Sequence, residues 1–113
     1  MVELLSRWLI DLSFKVDAAY STHRRISGHR VTELPERPSD YLRRQVRVSA
    51  FAAEKPGAVM DQVGPMLMFG GDFPHPEGYA SPFVEYRAKT GEDLPDELAA
   101  RFYGGNLAEL LHG

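Results

Sequence analysis

The chain has 113 residues, 43% of them hydrophobic and 26% charged, with a net charge of -3 and no cysteine. These values describe one ordinary globular domain at most, and they exclude a disulfide framework, a thiolate metal site and a cysteine nucleophile. No apolar run is long enough to span a bilayer, and Glu3 and Asp11 interrupt the basic-then-apolar layout of a signal peptide, so the expectation is a cytoplasmic protein with no membrane partner.

In chain order, residues 3–21 predict an amphipathic helix. Leu5, Trp8, Leu9, Leu12, Val16, Ala19 and Tyr20 recur at helical spacing on one face, and Arg7, Asp11, Lys15 and Asp17 mostly occupy the other. Trp8 is read as a packing residue. The chain opens inside this helix without a capping residue, as a segment of a larger architecture does. Residues 22–37 are polar and basic, with Gly28 and Pro35 as breakers. His23 and His29 lie six apart, which is not the spacing of a metal pair on one helical turn. They are read as surface histidines. Pro38-Ser39-Asp40-Tyr41 then starts a short helix, with Ser39 or Asp40 capping it or favouring its positive end.

Residues 46–51 alternate Val46, Val48 and Ala50 with Arg47, Ser49 and Phe51 and predict a strand. A helix follows near residues 55–63, with Pro56 early in it, and Gly64-Pro65 ends it. Met66–Phe69 is a run of four large apolar residues closed by Gly70 and Gly71, the pattern of a strand buried on both faces. Strand, helix and strand in this order predict a parallel pair. Met66–Phe69 and Val46–Ala50 should therefore be adjacent and parallel, with Asp72 at their shared C-terminal edge.

Asp72, His75 and Glu77 come after that second strand within six residues, stiffened by Pro74 and Pro76. A buried strand that releases a carboxylate at its C-terminal end is how barrel and open α/β enzymes place catalytic groups. The plain alternative remains open: Asp72 caps the turn, and His75 and Glu77 are surface residues.

Beyond the turn, Ser81-Pro82 starts a helix through about Thr90 that carries Phe83, Val84 and Tyr86, and Gly91 closes it. Leu94-Pro95-Asp96-Glu97 opens the next helix, which carries Ala99, Phe102 and Tyr103. Gly104-Gly105 break it, and Asn106 caps a last short helix containing Leu107, Leu110 and Leu111.

Charge is divided unevenly: residues 1–50 carry nine Lys/Arg and six Asp/Glu, a balance of +3, and residues 51–113 carry four and ten, a balance of -6. Arg24, Arg25, Arg30, Arg37, Arg43, Arg44 and Arg47 are scattered with few aromatics between them. That pattern is a solvated or subunit-facing surface rather than a nucleic-acid site. Two buried parallel strands cannot cover their own edges and faces, so the chain reads as part of an α/β domain.

The segment FGGDFPHPEG resembles the eighth-strand signature of the amidohydrolase-related TIM-barrel proteins, the family that includes the aminocarboxymuconate-semialdehyde decarboxylase-like enzymes. Three further segments resemble that family in the same order: Trp8 with Asp17–Tyr20, then Pro38–Gln45, then Tyr103–Leu111. The resemblance implies that the chain, 1–113, is a single partial domain: the C-terminal part of a (β/α)8 TIM barrel, with its last two parallel strands and flanking helices. It implies an enzyme that uses a divalent metal, zinc or manganese, and a small-molecule substrate, and that hydrolyses C–N or C–O bonds or decarboxylates without oxidation. Asp72 matches the family's aspartate that ligates the metal or deprotonates its water, and His75 and Glu77 match its loop. The family's His-x-His pair and its histidines from the middle strands are absent, and Gly71 stands where the family frequently has Ser. The chain alone is thus expected to bind no metal and to be inactive, as a truncated product, a misplaced start or half of a split enzyme. Its expected partners are the missing N-terminal barrel part or further copies of itself. The alternative is a non-catalytic remnant or an interaction protein that oligomerises.

Overall fold

The computed structural model describes residues 5–27, 33–51, 54–76, 78, 80–90 and 94–112. Among these residues six α-helices and two short strands succeed one another: α1 (Trp8–Ser27), α2 (Pro38–Gln45), β1 (Val48–Ser49), α3 (Pro56–Val63), β2 (Leu67–Met68), α4 (Pro82–Thr90), α5 (Asp96–Ala100) and α6 (Asn106–His112). The strands pair in parallel, Val48 opposite Leu67 and Ser49 opposite Met68. The expected strand–helix–strand order and orientation are therefore present, in a two-stranded sheet. Burial along β2 is uneven. Met66 and Leu67 are buried, whereas Met68 and Phe69 are half-buried, so the strand is not covered on both faces along its length.

The core joins Leu9 of α1, Val59, Met60 and Val63 of α3, Met66 and Leu67 of β2, Tyr86 of α4 and Phe102. Phe69 stands between Tyr86 and Phe102 with ring centroids 5.5 and 6.3 Å away, both near-perpendicular, the edge-to-face geometry that aromatic quadrupoles favour. The molecule measures 55 × 26 × 25 Å. Its Cα radius of gyration, 16.5 Å, exceeds the roughly 13 Å of a compact chain of this size, because α1 runs on past its packed N-terminal half with residues 21–26 exposed.

Several boundaries differ from expectation for identifiable reasons. Helix α1 runs from Trp8 to Ser27; Leu5 precedes it with a positive φ of 58° and is half exposed. Residues 22–27 continue the helix because none of them breaks it, and Arg24 and Arg25 in its last turn complement the negative end of the helix dipole. His23 is thus helical; His29, Gly28 and Gly91 lie outside the described residues.

At α2 the cap position is Arg37, which makes no side-chain capping bond. Neither Ser39 nor Asp40 takes that role, but Asp40 stands in the first turn, where its charge favours the positive end of the helix. Instead Asp17 of α1 reaches across: its Oδ1 accepts from the Ser39 N–H at 2.9 Å and its Oδ2 from the Ser39 hydroxyl at 2.8 Å. A carboxylate satisfies the free N–H at a helix start wherever it comes from, so a polar-face residue of one helix caps the next. Arg43 of α2 in turn donates from Nε to Val63 O at the end of α3, at 2.8 Å.

Gly104 and Gly105 do not interrupt the last helix. Residues Arg101–Gly105 form a turn of π-helix between α5 and α6, and helical geometry continues through Asn106 (φ -66°, ψ -37°). Asn106 is therefore not a cap. It is fully buried, and its Nδ2 donates to Pro65 O at 2.8 Å and to Leu67 O at 2.7 Å. Phe102 O, within the π turn, accepts from the Phe69 N–H at 2.8 Å. A π turn loosens the regular helical ladder, and here it coincides with a helix carbonyl bonded to a strand.

Candidate functional site

The turn that leaves β2 carries the residues the sequence singles out. Gly70 and Gly71 let it leave tightly. A β-carbon on Gly70 would stand 2.1 Å from Ser49 Oγ, and one on Gly71 2.7 Å from Pro82 Cγ. Asp72 adopts a left-handed backbone, φ 52°, a conformation that Asp and Asn tolerate better than other non-glycine residues. Its carbonyl accepts from the His75 N–H at 2.8 Å, and His75 O accepts from the Gly78 N–H at 2.9 Å. The turn closes so tightly that a β-carbon on Gly78 would lie 2.5 Å from Asp72 O.

This folding brings Asp72 and His75 together: His75 Nδ1 lies 3.4 Å from Asp72 Oδ2, and both side chains are a little over half exposed. A carboxylate beside an imidazole holds the ring's orientation and can share or pass a proton. The pair lies beyond the C-terminal end of β2, where the strand pairing ends with Ala50 N–H donating to Met68 O. Glu77, the third residue of the expected set, lies outside the described residues. Among the described residues no group of three or more His, Cys, Asp or Glu side chains comes together as a metal cluster.

The loop after β1 is fastened by Glu54 and Ser6, which the sequence did not single out, and by Tyr86. Glu54 accepts from the Ser6 N–H and, through the same Oε1, from the Ser6 hydroxyl at 2.6 Å, while its Oε2 accepts from the Phe51 N–H at 2.8 Å. The Tyr86 hydroxyl donates to Phe51 O at 2.9 Å. Ser6 and Tyr86 are fully buried. A glutamate shortly before Pro56 gives no periodic signal, and the 48-residue separation from Ser6 hides the pairing from any local pattern. A shallow groove elsewhere, between α1 and the start of α2, is lined by Phe14, Asp17, Tyr20, Arg37 and Pro38 and by none of the turn's residues. No helix among the described residues is long and apolar enough to cross a membrane.

No family model matches the chain, and no curated protein does. Among solved structures, the fold is similar to an amidohydrolase from Mycobacterium avium subsp. paratuberculosis K-10, with a TM-score of 0.75 and 24% sequence identity over 97% of this chain. The match takes in only 27% of that protein. The chain, a mostly helical segment around two parallel strands among the described residues, is thus similar in fold to about a quarter of that protein.

Proposed function

We propose that this chain is the C-terminal part of a metal-dependent hydrolase of the amidohydrolase superfamily, built as the last two strands of a TIM barrel and inactive by itself. The observation that carries the reading is the Asp72–His75 turn, which leaves the C-terminal end of a parallel strand in a chain shaped like part of an amidohydrolase. Catalytic groups on parallel α/β sheets and barrels sit at that end. The reaction class is hydrolysis of a C–N or C–O bond in a small molecule, or non-oxidative decarboxylation.

Among the described residues the chain's own donors do not fit a catalytic metal. Such a centre usually takes three protein ligands, and the turn offers Asp72 with His75 beside it. What this chain supplies is a carboxylate able to take a proton from a water or hydroxyl, and an imidazole that the carboxylate holds. The remaining ligands and the pocket walls belong to the barrel part that this chain lacks.

Elemental analysis and titration of the purified chain with zinc and with manganese test the reading, with Asp72→Ala as control. The expected result is a folded chain without stoichiometric metal and without hydrolase activity. Tight one-to-one binding that disappears in Asp72→Ala would overturn its inactivity in isolation. The coding sequence upstream of Met1 tests the hydrolase reading itself: in-frame or adjacent barrel strands with a His-x-His pair support it, and an unrelated gene there defeats it. The second reading is a non-catalytic protein that oligomerises. It is favoured by Leu107, Leu110 and Leu111, which stand 46, 58 and 66% exposed on α6, a larger apolar display than solitary surface residues make.

A further inference from the structure

A helix carbonyl reaches a strand here because the helix departs from α geometry. In the π turn, Asn106 N–H bonds Arg101 O, five residues back, where an α-helix would send it to Phe102 O, four back. Phe102 O is thereby released from that donor, and it accepts from the Phe69 N–H at 2.8 Å. The same turn grips the Phe69 ring: the rings of Phe102 and Tyr103 lie 6.3 and 5.8 Å from it. Phe83, in the first turn of α4, adds a further ring at 6.0 Å. The place of Phe69 in the chain gives this grip its consequence. Pairing with β1 ends at Met68, whose carbonyl accepts from the Ala50 N–H. Phe69 comes next, and only Gly70 and Gly71 separate it from Asp72. Their permissive backbone sets little orientation by itself, so the direction in which the turn leaves depends on how Phe69 is held.

We infer that Phe102 O is a positioning group for the Asp72–His75 pair: by releasing this carbonyl to the Phe69 N–H, the π turn fixes the point from which the pair's turn leaves the sheet. Turns of π-helix inside α-helices are frequent at functional sites. The device is separable from the clamp beside it, because Asn106 bonds the strand further back, at Pro65 O and Leu67 O. The inference rests on the reading of Asp72 and His75 as the chain's chemical pair, and adds to it the element that aims them.

Removal of Gly104 tests it. A π turn holds one residue more than the α-helical turn it replaces. Without Gly104 the Asn106 N–H stands four residues from Arg101 O, and the Leu107 N–H can reclaim Phe102 O. Gly104→Ala is the control, because it keeps the residue count and a β-carbon there meets nothing within 4 Å. Two NMR readouts separate the outcomes. The Phe69 amide should exchange about tenfold faster in the deletion variant, the equivalent of one lost net hydrogen bond, and at its native rate in Gly104→Ala. The second readout is the response of the His75 ring resonances to Asp72→Asn, which reports the 3.4 Å contact of the pair. That response should be clear in the native register and largely lost without Gly104, whereas a role confined to helix packing would leave it in place. A Phe69 amide that stays protected overturns the inference, and so does a His75 response that survives the loss of that protection. If the deletion variant does not fold, amide exchange of the unaltered chain in sub-denaturing urea decides. The His75 amide, bonded to Asp72 O, should open together with that of Phe69, and independent opening overturns the inference. The metal titration and the upstream coding sequence test the hydrolase reading separately, so either can fail without the other.

Discussion

Residues 65–78 form one continuous stretch with two contrasting halves. Along Pro65–Phe69 the carbonyls of Pro65 and Leu67 accept from Asn106 and the Phe69 N–H donates to Phe102 O, and Met66 and Leu67 are buried. From Asp72 onward the turn stands in solvent, held by two backbone hydrogen bonds of its own and by glycines where no β-carbon fits. The first half is held by buried side chains and cross-chain hydrogen bonds, and the second carries the Asp72–His75 pair. In a whole enzyme, walls around a site exclude water and fix its groups. Here the side chains of Asp72 and His75 are a little over half exposed.

The sharpest way to break this contrast is at Asn106. Asn106→Ala removes both bonds from its amide and leaves Pro65 O and Leu67 O without them, next to a small cavity. An unsatisfied buried polar group costs about 1–3 kcal/mol, so the variant should lose roughly 2–3 kcal/mol in urea denaturation. A loss below about 0.5 kcal/mol, the range of inert surface changes, would mean that the β2 edge does not depend on this amide.

The same measurement at Asp72 should move little, and in the opposite direction. Asp72 is exposed and sits at φ 52°, a backbone that costs other residues about 1 kcal/mol and glycine almost nothing. Asp72→Gly keeps the turn and deletes the carboxylate, so stability should stay level or rise by up to about 1 kcal/mol. A clear loss would show that the carboxylate holds the turn together, and would favour the plain capping role over a functional one.

The range of each interaction sets how much of this was legible in the sequence. Local patterns carried α3, α4 and the parallel strands, because prolines at Pro56 and Pro82 and alternation around Val48 act within a few residues. The closeness of Asp72 and His75 in the chain was visible as spacing, but their pairing in the turn was not read from it. What escaped were interactions that span the chain. Asp17 capping α2 and Glu54 fastening Ser6 cross 22 and 48 residues. Gly104 and Gly105 read as breakers because glycine lowers helix propensity by about 1 kcal/mol. Packing of Phe102 and Asn106 against β2 overrides that preference and continues the helix as a π turn. Tertiary contacts decided those cases, and no local window contains them.

The smallest effect lies at Glu109, which ties α6 to the rest of the chain. Arg47 donates to its Oε2 at 3.1 Å and Arg101 at 2.7 Å. The hydrogen bond from Arg47, the attraction of Arg101 and the hydrogen bond from Arg101 hold this carboxyl below its ordinary value of 4.5. The folded chain therefore keeps Glu109 ionised at pH values where the unfolded chain has begun to protonate it. The unfolded state then binds more protons, and stability falls as pH falls. This contribution is full above pH 4.5 and is lost as pH drops from there through the lowered folded value. Glu109 is half exposed, so solvent screens the pair and the effect is small. Denaturation midpoints of the native chain and Glu109→Gln should accordingly differ most at neutral pH and converge on acidification below pH 4.5. A gap that stays constant with pH would assign the loss to packing of α6 instead of to charge.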